Sequence, residues 1–192
     1  MNLPLLLFAK KIDLNVIEAV PSFVTPYGVK IATVISNIGS TQSLILLTIA
    51  LCMFFWLFKK PYHLIQFLIT LSVGFLSVYL LKIITARLRP PEALIAVNGY
   101  SFPSGHATIV AIFCFLVIFA YKNHIKNTFL KLIFIIFFTL SALAVAFSRI
   151  YLSVHYLSDV VGGILLGLFI SSLSVFIFEN FYGKGEHVGK KL

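Results

Sequence analysis

Charge is what this chain has least of. Only 11% of its 192 residues are Asp, Glu, Lys or Arg, against 60% that are hydrophobic. A mean hydropathy of +1.04 is far more apolar than a soluble domain. Acidic residues are the scarcest, six in all. No set of carboxylates shares a face at the spacing a divalent ion needs, so no metal and no cofactor is expected. Cys52 and Cys114 both lie inside apolar segments without metal-ligand spacing. They are expected to be small core residues and leave the redox compartment open. The chain also lacks internal repeats and low-complexity linkers. The apolar stretch from Leu3 to Ala9 has no charged region before it and no small-residue cleavage site after it, so no signal peptide is expected. That stretch is also shorter than the about 20 residues that a spanning helix needs.

The net charge of +9 suits nucleic acid at first sight, but the basic residues are not interleaved with aromatics on a polar surface. They sit at the ends of apolar runs, where Lys and Arg anchor helices at the headgroups. A bilayer, not a nucleic acid, is the expected partner; the oligomeric state stays open.

What is present is a series of long apolar runs. Five are long enough to cross a bilayer: Thr41–Phe58, Leu64–Thr85, Ser104–Tyr121, Thr128–Phe147 and Ser158–Phe178, each close to the about 17–25 residues required. The expected fold is an all-α integral membrane bundle of about five transmembrane helices. Ahead of them, residues 12–38 mix apolar positions with Asp13, Glu18, Lys30, Pro21 and Pro26, which suggests an amphipathic interfacial segment broken near the prolines. The chain thus divides into an N-terminal interfacial segment (1–40), a transmembrane domain (41–178) and a basic cytoplasmic tail (179–192). Lys59-Lys60, Lys122 with Lys126, and Lys184, Lys190 and Lys191 follow spans one, three and five. The positive-inside rule puts those three regions in the cytoplasm. The loops after spans two and four then face the periplasm or exterior, together with Lys10, Lys11 and Lys30.

Three polar blocks interrupt the apolar sequence, and all belong to that outer face. The first is Lys82 followed by Arg89-Pro90. If the helix continues past Lys82, two turns bring the point charge of Lys82 and the planar fork of Arg89 to a shared face. Arg87 is expected to be a plain headgroup anchor. The second block is Pro103-Ser104-Gly105-His106, where Ser104 is a natural N-cap and Gly105 permits close approach to backbone amides at a helix start. His106 in that first turn could protonate a leaving oxygen. The third block is Ser148-Arg149, then His155 and Asp159. Arg149 is another phosphate clamp, and the i, i+4 spacing lets Asp159 fix the tautomer of His155 and free its other nitrogen for attack. Together the blocks can hold a phosphate, attack it and protonate the departing group. Gly162, Gly163 and Gly167 form a small-residue stripe on span five, expected to pack closely on a helix of the same chain. Tyr100, Tyr151 and Tyr156 are expected in the interfacial aromatic belt.

The three blocks, in their order and internal spacing, resemble the three-part motif of the type 2 phosphatidic acid phosphatase superfamily, over roughly residues 36–178. That resemblance implies a membrane lipid phosphatase with catalytic residues His155, His106 and Asp159, and with Lys82, Arg89, Ser104, Gly105 and Arg149 binding phosphate. His155 would form a phosphohistidine, Asp159 would orient it, and His106 would protonate the leaving group. Undecaprenyl diphosphate ranks slightly ahead of phosphatidylglycerol phosphate and phosphatidic acid, although small bacterial undecaprenyl-diphosphate phosphatases of this family often have Asp where this chain has Gly105. The implied location is the plasma (inner) membrane with the site outside. A lipid A phosphatase is a further option. A lipid-binding scaffold or transporter on the same bundle is the non-enzymatic alternative, and such a transporter calls for polar residues near the bilayer midplane, where these spans show little beyond Ser and Thr.

Overall fold

The computed structural model describes residues 4–57 and 61–181. Seven α-helices occur among them: α1 (Pro4–Ala19), α2 (Pro26–Ile38), α3 (Thr41–Leu57), α4 (Pro61–Thr85), α5 (Gly105–Tyr121), α6 (Thr128–Tyr151) and α7 (Leu157–Phe181). A 3₁₀ turn, Val20–Phe23, separates α1 from α2. The break falls at Pro21 and Pro26, as proline chemistry requires: Pro26 opens α2 behind the Thr25 cap, whose side chain accepts from the Gly28 amide. Most of the basic tail, 182–192, and Lys59-Lys60 lie outside the described residues.

The five apolar runs form α3 to α7. By length and composition α4, α6 and α7 can each cross a membrane alone. Helix α3 meets α2 at a bend of 40°, and the two qualify together as a broken span or a re-entrant loop. Helix α5 has 17 residues, about 25 Å at 1.5 Å per residue.

Helix α5 is the axis of the bundle. It is apolar all round, and most of its residues are buried against neighbouring helices. Ile112, Leu116 and Ala107 are buried, and α4, α6 and α7 pack around it. Outward faces of α4, α6 and α7 expose Leu76, Phe137, Leu140, Leu165 and Phe169, the pattern of helices solvated by lipid. In the glycine stripe of α7, Gly163 and Gly167 face α5, while Gly162 faces Phe102 in the loop before it. A Cβ on Gly163 would lie 2.7 Å from the Ser104 carbonyl oxygen, and one on Gly167 would lie 2.6 Å from that of Thr108. Close helix approach within one chain, not dimerisation, is what these glycines serve.

Gly167→Leu is therefore expected to force α5 and α7 apart and to destabilise the protein by about 1–3 kcal/mol, read as a lower thermal midpoint in detergent. An unchanged midpoint would show that this helix pair yields more easily than its backbone contacts imply.

Candidate active site

The ends of α4, α5, α6 and α7 meet at one rim of the bundle. Helix α4 stops at Thr85, and Ala86 with φ 45° turns the chain out of it. The helical continuation expected between Lys82 and Arg89 therefore does not form, because the positive φ and the Pro90-Pro91 pair lead into an irregular loop. Arg89 reaches the site from that loop instead. Its Nε donates to the Gly99 carbonyl (3.0 Å), Nη2 to that of Asn98 (3.1 Å) and Nη1 to that of Val154 (2.8 Å). Lys82, in the last turn of α4, donates to the Tyr100 carbonyl. The two cations thus fold the 86–104 loop around themselves.

Ser104 caps α5, its hydroxyl accepting from the Ala107 amide. Its own amide donates to the Asp159 carbonyl at 2.9 Å, which joins the start of α5 to the start of α7. Arg149 closes α6, where the helix dipole favours a cation. It is buried, donates through Nη1 to Ser36 of α2, and keeps a buried Nε with no hydrogen-bond partner among the described residues. A buried guanidinium N–H without a partner is a ready donor for an anion.

His155 lies in the short turn between α6 and α7 and is 2% exposed. Its Nδ1 is 3.5 Å from Asp159 Oδ2, and its Nε2 is 3.2 Å from Arg89 Nη1. Guanidinium only donates, so Nε2 must present its lone pair, which assigns the proton to Nδ1 on the Asp159 side. Burial drives the His155 pKa down to about 4; Asp159 opposes that shift, while Arg89 and Arg149 add to it. The resting ring is neutral. Burial also lowers the pKa of Arg89, with Asp159 opposing.

Six of the eight candidate residues line one cavity of about 280 Å³: Lys82, Arg89, Gly105, His106, Arg149 and His155. Ser104 sits beneath it as the cap, and Asp159 stands behind His155 with no exposed surface. Among the described residues, no group of three or more His, Cys, Asp or Glu is gathered to hold a metal ion.

Arg87 corrects the sequence expectation of a headgroup anchor. It bridges Asp159 Oδ1 and Asp13 Oδ2, each at 2.6 Å, with its guanidinium 4.1 Å from the centre of the Tyr156 ring. Tyr156 therefore stacks on a cation in addition to any interfacial role. Tyr151 donates its hydroxyl to the Phe23 carbonyl at 3.0 Å, which ties α6 to the turn before α2. Sequence reasoning missed Asp13, Ser36 and Ser158 as well. The available signal was the scarcity of acidic residues, one of which lies on α1.

The PAP2 superfamily model matches residues 62–182. Phosphatidylglycerophosphatase B of Bacillus subtilis (strain 168) is 31% identical over 150 residues, 76% of this chain and 72% of that protein. Undecaprenyl-diphosphatase of Sulfolobus acidocaldarius is 36% identical over 118 residues, 58% of this chain and 51% of that protein. The crystal structure of a transmembrane PAP2 type phosphatidylglycerolphosphate phosphatase from Bacillus subtilis superposes with a TM-score of 0.83 at 26% identity, covering 90% of this chain and 87% of that one. Aquifex aeolicus LpxE shares the fold, with a TM-score of 0.68 at 22% identity over 84% of this chain and 93% of that one. A family match over most of the chain, on membrane helices whose ends converge at one polar cavity, makes this an integral-membrane phosphatase that belongs to the PAP2 superfamily.

Proposed function

We propose that this protein hydrolyses the phosphate of a lipid at the membrane surface through a phosphohistidine on His155. The observation that carries the reading is the placement of His155 on the wall of the cation-lined cavity, with Nε2 3.2 Å from Arg89 Nη1 and Nδ1 turned towards Asp159. Nε2 attacks phosphorus and forms the N–P bond as the P–O bond to the lipid breaks. His106 supplies the proton that the departing oxygen needs. Asp159 holds the Nδ1 proton and offsets the charge that the ring acquires. Lys82, Arg89, Arg149 and the amides at the Ser104-Gly105 helix start bind the phosphate oxygens and stabilise charge in the transition state. Water then cleaves the N–P bond, with His106 as the base.

An apolar track supports a lipid as the carrier of that phosphate. Phe75 and Ile109 belong both to the phosphate cavity and to a groove of about 210 Å³ between α3 and α4. Thr48, Ile49 and Leu68 continue it into a further cavity of about 410 Å³. Such a track suits a long hydrocarbon chain, in keeping with a polyprenyl diphosphate such as undecaprenyl diphosphate as the first reading. The similarity to a phosphatidylglycerophosphatase over 72% of that protein's length favours phosphatidylglycerol phosphate as the second reading. The site is assigned to the outer face of the plasma membrane, on the strength of the lysine distribution.

Phosphate release by detergent-purified protein from undecaprenyl diphosphate, phosphatidylglycerol phosphate and phosphatidic acid decides among these lipids. His155→Ala is expected to lower turnover by about 10³-fold or more while the protein stays folded, and substantial residual release by folded His155→Ala refutes the nucleophile. Gly105→Ala tests the amide cradle separately. An added Cβ meets only Val78 at 3.5 Å, so the fold is expected to tolerate it while phosphate binding weakens; unchanged KM and kcat would remove Gly105 from the site. The pH profile gives a third test. Since the neutral ring is the nucleophile and its pKa is held near 4, lowering the pH to 5.5 should not lower kcat/KM after correction for ionisation of the substrate phosphate. An acid limb centred near the ordinary histidine value of about 6.5 would contradict that assignment.

A further inference from the structure

Asp13 stands on α1, outside the residues that carry the family match. It is 2% exposed although its neighbour Leu14 is 46% exposed, so an amphipathic helix turns this one carboxylate inward. Both of its oxygens are engaged. Oδ1 accepts from the Ser158 amide (2.9 Å), and Oδ2 accepts from the Ser158 hydroxyl and from Arg87 Nη2 (each 2.6 Å). The other end of the same guanidinium donates through Nη1 to Asp159 Oδ1 at 2.6 Å and to the Ser158 oxygen at 2.7 Å. Asp159 Oδ2 is left to face His155 Nδ1 at 3.5 Å and to accept from the Tyr156 amide at 2.9 Å.

This division of Arg87 between two carboxylates has a mechanical consequence. An Arg with a single carboxylate partner favours the bidentate arrangement, in which both nitrogens take both oxygens. On Asp159 that arrangement would draw Oδ2 away from the imidazole and leave Nδ1 without its carboxylate. Asp13 holds Nη2 and so restricts Arg87 to Oδ1. Its negative charge also balances the guanidinium, which preserves the field of Asp159 for the ring. We propose that Asp13 is a positioning residue for His155, acting through Arg87 to hold Asp159 with one oxygen free for the histidine. The seating of α1 on the start of α7 is then a condition for catalysis, and a residue of the N-terminal segment takes part in orienting the nucleophile. This inference rests on the proposed role of His155.

The test is steady-state and single-turnover kinetics in detergent micelles, with undecaprenyl diphosphate and phosphatidylglycerol phosphate as probes. Asp13→Asn preserves shape and removes the charge. It is expected to lower kcat by about 10- to 100-fold, to leave KM within about twofold, and to slow formation of the acid-labile phosphoenzyme by the same factor as kcat. Asp13→Asn combined with Arg87→Gln is expected to be no slower than Arg87→Gln alone, because both act through one contact. Glu18→Gln, at an exposed acid on the same helix, should behave as wild type. A kcat for Asp13→Asn within twofold of wild type, a loss confined to KM, or multiplying losses in the double variant would each overturn the proposal. Should Asp13→Asn fail to fold, Arg87→Lys keeps the charge without the fork and must show the same kcat-only loss for the proposal to stand. Wild-type protein that releases no phosphate from these probes or from phosphatidic acid removes the proposed function itself; wild-type turnover with an unaffected Asp13→Asn removes only the role of Asp13.

Discussion

A carboxylate with no exposed surface must be matched by cations and hydrogen bonds, or it loses its charge. Asp159 meets that condition, and the polar rim of the bundle is organised around how it does so. Arg87 pairs with Oδ1, the Tyr156 amide donates to Oδ2, which faces His155 Nδ1 at 3.5 Å, and the backbone carbonyl of the same residue accepts from Ser104. One residue thereby connects the loop after α4, the start of α5, the turn after α6 and the start of α7. Displacing Asp159 would disturb the imidazole and the helix cap together, since both are attached to it.

The membrane sets where such an arrangement can stand. Lipid-exposed backbone must be helical, so irregular chain is confined to the ends of spans, and the 86–104 loop lies there. Its carbonyls turn inward onto Lys82 and Arg89, so the cations are fixed before any ligand arrives. Donors already oriented need no reorganisation when charge develops on a bound phosphoryl group. The glycine stripe on α7 contributes at a distance: only the close approach of α7 to α5 lets Ser104 and Asp159 share a hydrogen bond.

The helices and most of the cavity were legible in the sequence because both depend on local pattern. Long apolar runs report spanning helices, and blocks with fixed internal spacing report groups near one rim. Six of the candidate residues from three separate blocks line one cavity, and Ser104 caps α5. Two things were not legible. The end of α4 at Thr85 depends on a positive φ at Ala86, which alanine, a good helix former, does not announce. The partners of Arg87 were hidden for another reason. Asp13 lies 74 positions away along the chain, and no local periodicity relates the two. An arginine near a helix end in an apolar protein resembles a snorkelling anchor until the tertiary structure supplies its carboxylates.

Arg87 also explains why four cations near the rim do not make four phosphate ligands. Lys82, Arg89 and Arg149 line the cavity. Arg87 instead borders a separate cavity of about 700 Å³ with Asp13, Phe102 and Tyr156, its charge divided between two carboxylates. The field inside the phosphate cavity is then set by three cations opposed by one carboxylate already paired on its far side, a balance that favours an anion of more than one charge. Two of the six acidic residues are placed within 2.6 Å of a single arginine. In so acid-poor a chain, that concentration turns one cation into a structural element and leaves the other three to face the ligand.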